Sequence, residues 1–433
     1  MLRDPIFGRR IKLIKVMAQA NSASEPGQNL SAPFLHRTAT CNHLELGMLR
    51  RYVIICLIFS QFLSSASHAG VLADDLYWYK SSLGFSNITK KGVESYLNPF
   101  KGPAEFRLAE KNAPWAGNYF PMYQGGIAQR WTESKHPGTV LNKNSYMKLT
   151  PEERQKLSPV EKYDVLLGLY DFRTTDHEMN FRGPLRQGAK IQDWEGFCNG
   201  VRCAGIMLAE PQFAVERTNP AGEKVVFQPA DLKALAGASY FYTQEYAQIG
   251  SPSRKGRSQN QPNAAVFDLV LRYGLAVNKK PFIIDSHLGS EIWNETVVGY
   301  KRTLSDKKKL TPTEREAYPD AIEKVDVSFV LETLGEVDIK QSNRPTKAQV
   351  ANGSLLQTLE GRYTLYLDRD GRAIEGKWKK NAGVRGVDFA WFVGGKGADK
   401  LHADKGGNPH LEFGVIKDLI NESAHPSCNK IFQ

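Results

Sequence analysis

The stretch "GRYTLYLDRDGRAIEGKWK" (residues 361–379) alternates apolar and polar side chains on either side of "DRDG". A period of two makes a half-buried strand, and a short Asp/Gly turn between two such runs makes an antiparallel hairpin. The same grammar fills "VDVSFVLETLGEVDI" (325–339). An antiparallel sheet is therefore expected mainly from the C-terminal half. Upstream the signals are helical. In "LTPEERQKLSPVEKYDVLLG" (149–168), Thr150 precedes Pro151 and Ser158 precedes Pro159, which puts a capping residue ahead of a proline at the first helical position and predicts two short helices. "QPADLKALAGASYFYTQEY" (228–246) spaces Leu232, Leu235 and Tyr240 toward one face of another helix. Residues 263–300 begin as helix or strand and turn strand-like at 281–285 and 296–300. The expected class is α+β, a helix-rich half built around a cysteine followed by the sheet, with no internal repeat.

Compartment decides what a cysteine can do. After Met48 come two arginines, an apolar run of 12 residues from Tyr52 to Leu63, and small residues ending Ser67-His68-Ala69. That is the layout of a secretory signal peptide over 48–69, and the apolar run is shorter than the about 20 residues of a membrane span, so no stable membrane anchor is expected. Residues 1–47 read as a disordered upstream extension. Residues 70–150 read as an irregular N-terminal wrapping segment, 151–325 as the catalytic region, and 326–433 as a β-rich region packed on it. Export is to the cell exterior or periplasm.

The formal charge is +11 over 433 residues; residues 1–69 hold eight Lys/Arg and three Asp/Glu, so the exported chain carries +6. Such a mild excess fits ordinary surface lysine. Basic runs such as 253–257 and 306–310 lack the interleaved aromatics that single-strand binders use, and no nucleic-acid partner is expected.

Of five cysteines, Cys198, Cys203 and Cys428 lie after Ala69. Three cannot all pair within one chain. Zinc is disfavoured because no histidine lies near the Cys198/Cys203 pair in sequence. Cys198 follows Gly196-Phe197, and the small residues Ala204, Gly205 and Ala209 predict a tightly packed helix that starts at the thiol. A helix N-terminus favours a thiolate and offers backbone N–H groups to an oxyanion. The other reading is a disulfide to Cys203 or Cys428, or an inert buried thiol. A thiol nucleophile also needs an acid/base partner. Asp268 sits in the apolar run "AAVFDLVL", Asp285 and His287 end the strand-like "PFIID", and His177 is a more isolated candidate. "DRDG" fails as an EF-hand, since Arg372 and Lys379 stand where oxygen ligands are needed. No cofactor is implied, and metal dependence is left open. Four Asn-x-Ser/Thr sequons begin at Asn87, Asn294, Asn352 and Asn421.

"EIWNETVVGYKRT" (291–303) resembles the surface-exposed elicitor peptide of the secreted transglutaminases of Phytophthora and their bacterial relatives, through Ile292, Trp293, Asn294, Val297, Gly299, Tyr300 and Lys301. "EKYDVLLGLYDF" (161–172), "WEGFCNG" (194–200) and "YLDRDGRAIEGKW" with "VDFAW" agree with that family. The resemblance implies a protein-glutamine γ-glutamyltransferase with Cys198 as nucleophile, forming a thioester that a lysine amine resolves to an isopeptide crosslink. Its partners would be proteins or peptides with accessible Gln and Lys. Asp268 and Asp285 are carried as base candidates, Gln192 and Trp194 as oxyanion donors, Trp293 as a wall of the substrate slot, and Cys203 with Cys428 as the remaining disulfide pair. The chain departs from the family where Cys-His-Gly-Trp reads Cys198-Asn199-Gly200-Val201, and where Phe-His reads Phe267-Asp268. Two alternatives stay open: a secreted cysteine peptidase, amidase or deamidase, and a non-catalytic secreted binding protein.

Overall fold

The computed structural model describes residues 93, 95–133, 136–188, 190–241, 246–251, 261–380, 385–393 and 407–425. The signal-like segment, the upstream extension and Cys428 lie outside the described residues. No helix among them is long and apolar enough to cross a membrane.

Both predicted capping signals become helices, α1 (Pro151–Gln155) and α2 (Pro159–Leu166), each closed by a reciprocal box: Thr150 with Glu153, and Ser158 with Glu161. These boxes satisfy N–H groups that a first turn leaves without partners. Helix α3 (Cys198–Met207) begins at the thiol, as its small residues predict. Helix α4 (Pro229–Tyr240) is buried along its whole length, so its two charged side chains are paired: Asp231 with Lys162 at 2.6 Å, and Lys233 with Glu210 at 2.9 Å. Helices α3 and α4 cross at two glycines. A Cβ on Gly200 would strike the Gly237 carbonyl, and one on Gly237 would strike Val201. Helix α5 (Ala264–Leu269) and α6 (Phe413–Ala424) complete the set used below.

Among the described residues, nine strands form one antiparallel sheet, and the α+β class holds. They are β1 (Glu105–Arg107), β4 (Tyr246–Gly250), β5 (Phe282–Asp285), β6 (Asn294–Leu304), β7 (Lys308–Lys309), β8 (Glu323–Leu334), β9 (Gln357–Leu367), β10 (Ala373–Trp378) and β11 (Phe389–Val393). Their order is β10-β9-β8-β6-β5-β11-β4, with β1 beside β6 and β7 beside β8. Strands β2 (Val215–Thr218) and β3 (Lys224–Phe227) form a separate hairpin. "DRDG" is the β9–β10 hairpin turn, with Gly371 N–H bonded to Asp368 O at 3.0 Å. Strand β8 runs across position 325, so one sheet continues through the junction drawn between the catalytic and C-terminal regions.

Alternation along β5 sorts the core. Phe282 and Ile284 join the cluster of α5 and β8–β9, with Phe267, Phe329 and Leu365, while Ile283 joins the cluster of α3, α4 and α6, with Val201, Leu235, Trp391 and Ile416. Successive side chains on a strand point to opposite faces, so Asp285 shares the face of Ile283 and is directed to the α3 side.

Candidate active site

Three elements meet at the thiol. The loop before α3 is fixed by Phe197 N–H to Tyr119 O at 2.6 Å and Met122 N–H to Glu195 O at 2.9 Å. Gly196 lies so close to Tyr119 that a Cβ would collide with it. Cys198 then opens the helix with 7 % of its surface exposed. The first helical bond is Val201 N–H to Phe197 O at 2.9 Å, and Asn199 Oδ1 accepts Gly200 N–H at 2.7 Å. The N–H groups of Cys198 and Asn199 precede that ladder, at the positive end of the helix.

Strand β6 supplies the side chain at the sulfur. Asn294 donates from Nδ2 to Cys198 Sγ at 3.4 Å, and its Oδ1 accepts from Trp391 Nε1 at 3.0 Å. An indole nitrogen only donates, so Trp391 fixes the amide with its NH₂ toward the thiol. The sulfur also lies 4.0 Å from Ile292 O. Asp285 stands directly across from Asn294 in the β5–β6 register. Such cross-strand neighbours hold their Cβ atoms about 4.5–5.5 Å apart. Asp285 Oδ1 accepts the N–H groups of Trp293 at 2.9 Å and His287 at 3.1 Å, while Oδ2 is buried and has no partner among the described residues. Burial pushes this carboxyl up to about 8; its two backbone hydrogen bonds oppose the shift, and Asp388 and Glu295 add to it.

Arg202 lies four residues along α3 from the thiol. It is 1 % exposed, Nη2 donates to Gly117 O at 3.4 Å, and Nε and Nη1 have no partner among the described residues. Burial pulls the guanidinium down, against the opposing pull of Cys198, Glu336 and Glu295.

The other sequence candidates distribute as follows. Trp293 is half-buried, donates to Glu291 Oε2 at 2.8 Å and tilts against Tyr119 with ring centroids 6.2 Å apart, forming an aromatic wall near the site. His287 is half-buried, and its Nδ1 accepts Gly289 N–H at 3.2 Å. Asp268 is not the partner of the thiol. It is fully buried on α5, paired with Arg272 at 2.7 Å and Arg302 at 2.9 Å and accepting Tyr363 OH at 2.6 Å, so a structural hub occupies both its oxygens. Gln192 is exposed, its side chain turned back on Lys190 O at 3.3 Å and not toward the thiol. Trp194 is half-buried in the same loop. His177 stacks on Phe181 at 5.0 Å, and burial pushes it down to about 4. Cys203 is a fully buried free thiol that burial pushes up. Its expected disulfide partner, Cys428, lies outside the described residues.

The elicitor-type motif is not a surface peptide in this chain. Asn294 to Tyr300 are all buried, Ile292 and Trp293 are half-buried, and Lys301 is exposed. Gly299 is closely packed: a Cβ there would displace the Glu332 carboxylate that grips Arg107 and press on the Phe106 carbonyl. Sequence reasoning assigned Asn294 to a recognition motif and left Arg202 and Trp391 aside. The lone charge at Arg202, one turn after Cys198 in a run of small and apolar residues, was the available signal.

Among the described residues, no group of three His, Cys, Asp or Glu side chains converges as a metal site. A comparison with curated proteins finds no match. The crystal structure of the GP42 transglutaminase from Phytophthora sojae superposes with a TM-score of 0.57 at 22 % identity, covering 81 % of this chain and 97 % of that one. At that identity the likeness is one of fold. Residues 171–425 match the transglutaminase elicitor family, a span that includes Cys198, Asp285, Asn294 and Trp391. The chain belongs to the transglutaminase elicitor family.

Proposed function

We propose that the chain is an exported protein-glutamine γ-glutamyltransferase with Cys198 as its nucleophile. The observation that carries this reading is the contact of the helix-opening thiol with a side-chain amide whose orientation Trp391 dictates. Cys198 sulfur adds to the carboxamide carbon of a protein glutamine, and the carbonyl electron pair moves to oxygen, where the Cys198 and Asn199 N–H groups receive it. The C–N bond breaks as the nitrogen takes a proton from the Asp285 carboxyl and leaves as ammonia. A lysine amine adds to the thioester carbon, returns a proton to Asp285, and expels the thiolate. The product is an isopeptide bond. The carboxyl pushed up to about 8 suits this double role, since it holds a proton at neutral pH yet can lose it. Tyr119 and Trp293 wall the approach, and a drier thioester favours amine over water.

The test is incorporation of a fluorescent primary amine into a glutamine-bearing protein by the exported chain. Incorporation that disappears in Cys198→Ala is expected. Ammonia release without incorporation would reassign the enzyme to hydrolysis, and incorporation that survives Cys198→Ala would remove the nucleophile.

A further inference from the structure

We propose that Arg202 is the counter-charge of the Cys198 thiolate, supplying from one turn below the sulfur the positive charge that an imidazolium supplies in His-paired thiol enzymes. The inference rests on Cys198 being the nucleophile proposed above. Residues four apart on a helix face the same way, with Cβ atoms about 5–6 Å apart. A guanidinium stays charged in proteins, and a buried charge is costly unless it is paired. Yet Arg202 forms no ion pair within 4.0 Å among the described residues, and two of its three nitrogens have no hydrogen-bond partner there.

The neighbouring acids do not fill the role. Glu295 is engaged by Ser286 at 2.7 Å, Thr333 at 2.5 Å and Arg385 at 3.0 Å, and Glu336 is exposed on the β8 exit. Asp285 keeps its proton at neutral pH. Asp388 is buried beside Asp285, where its N–H meets the Asp285 carbonyl at 3.0 Å. Cys198 opens the helix one turn before Arg202, and it stands ahead of Glu336 and Glu295 among the acids that act on the guanidinium. A second buried polar atom without a partner among the described residues, Thr296 Oγ1, lies two residues after Asn294 on β6.

Arg202 acts through the sulfur and touches no substrate, so it is a positioning residue. Its test reads the thiol directly: alkylation of Cys198 by iodoacetamide in the intact exported chain, followed by peptide mass mapping across the pH range. At about pH 6.5, well below the ordinary cysteine range near 8.5, Arg202→Met and Arg202→Gln should react about tenfold more slowly than the wild type and converge with it at alkaline pH. Arg202→Lys, which keeps the charge, should stay near the wild type. Neutral variants that fold and follow the wild-type profile overturn the proposal, as does a slowing that is equal at every pH. A wild-type profile centred at the ordinary cysteine value overturns it without any variant. Amine incorporation is scored separately, so a chain that shows the Arg202-dependent profile but transfers no amine sinks the proposed activity and leaves the charge pair standing.

Discussion

The side-chain amide of Asn294 lies 3.4 Å from the sulfur of Cys198, joining a helix start to a strand start across 96 residues of sequence. The contact explains why the elicitor-type segment is buried. Its first strand residue completes the site around the thiol, and Val297 and Tyr300, each at most 1 % exposed, anchor that strand in the core.

Asn294→Ala removes one donor to the sulfur, which the proposed mechanism uses as a thiolate. Such a bond contributes about 1.5–3 kcal/mol, so kcat/KM for amine incorporation should fall roughly tenfold to a hundredfold. Asn294→Asp, with only acceptor oxygens facing a thiolate, should fall further, and Trp391→Phe should fall between the wild type and Asn294→Ala because the amide is then free to turn. Equal losses in all three would argue against a donor role.

Asp285 makes stability depend on pH with a definite sign. Its folded-state pKa, about 8, stands above the ordinary value near 3.9, so the folded chain binds the extra proton. The stabilisation from this proton is complete below about pH 4 and is lost as pH rises through about 8, with a slope of at most about 1.4 kcal/mol per pH unit. Urea unfolding should therefore show the wild type losing more stability between about pH 5 and pH 8 than Asp285→Asn does. Parallel curves would mean the carboxyl is ordinary.

Asp268→Ala should act on folding and not on the thiol. The substitution strands Arg272 and Arg302, which also hold backbone carbonyls at Asn98, Lys101 and Pro99. Breaking a buried pair in this way costs about 3–5 kcal/mol. The midpoint of denaturation should drop sharply, while the alkylation profile of Cys198, measured where the variant is folded, should match the wild type.

Much of the fold was legible and part of the site was not, for physical reasons. Capping at Thr150 and Ser158, the helix at Cys198 and the β9–β10 hairpin are set by residues within a few positions of one another, and local sequence carries that information. The role of Asp268 is different. An acid in an apolar run announces a buried partner, yet that partner is chosen by packing: Arg272 is one turn away, while Tyr363 arrives from 95 residues downstream. The Asn294–Trp391 bond spans 97 residues and was beyond any local pattern.

Gly200→Ala tests the crossing that sets the height of the thiol. The added methyl meets the Gly237 carbonyl, so α3 has to move off α4, with a cost of about 1–3 kcal/mol and a loss of activity larger than the loss of stability explains. A variant of wild-type activity would show that the crossing tolerates displacement.

The most direct measurement is acid quench of the chain with a glutamine donor peptide, without amine, followed by mass mapping of the acylated residue. A peptide adduct, with ammonia lost, on Cys198 and absent from Cys198→Ala is the predicted result. An adduct on any other side chain, or steady release of ammonia with Cys198 never acylated, would contradict the account.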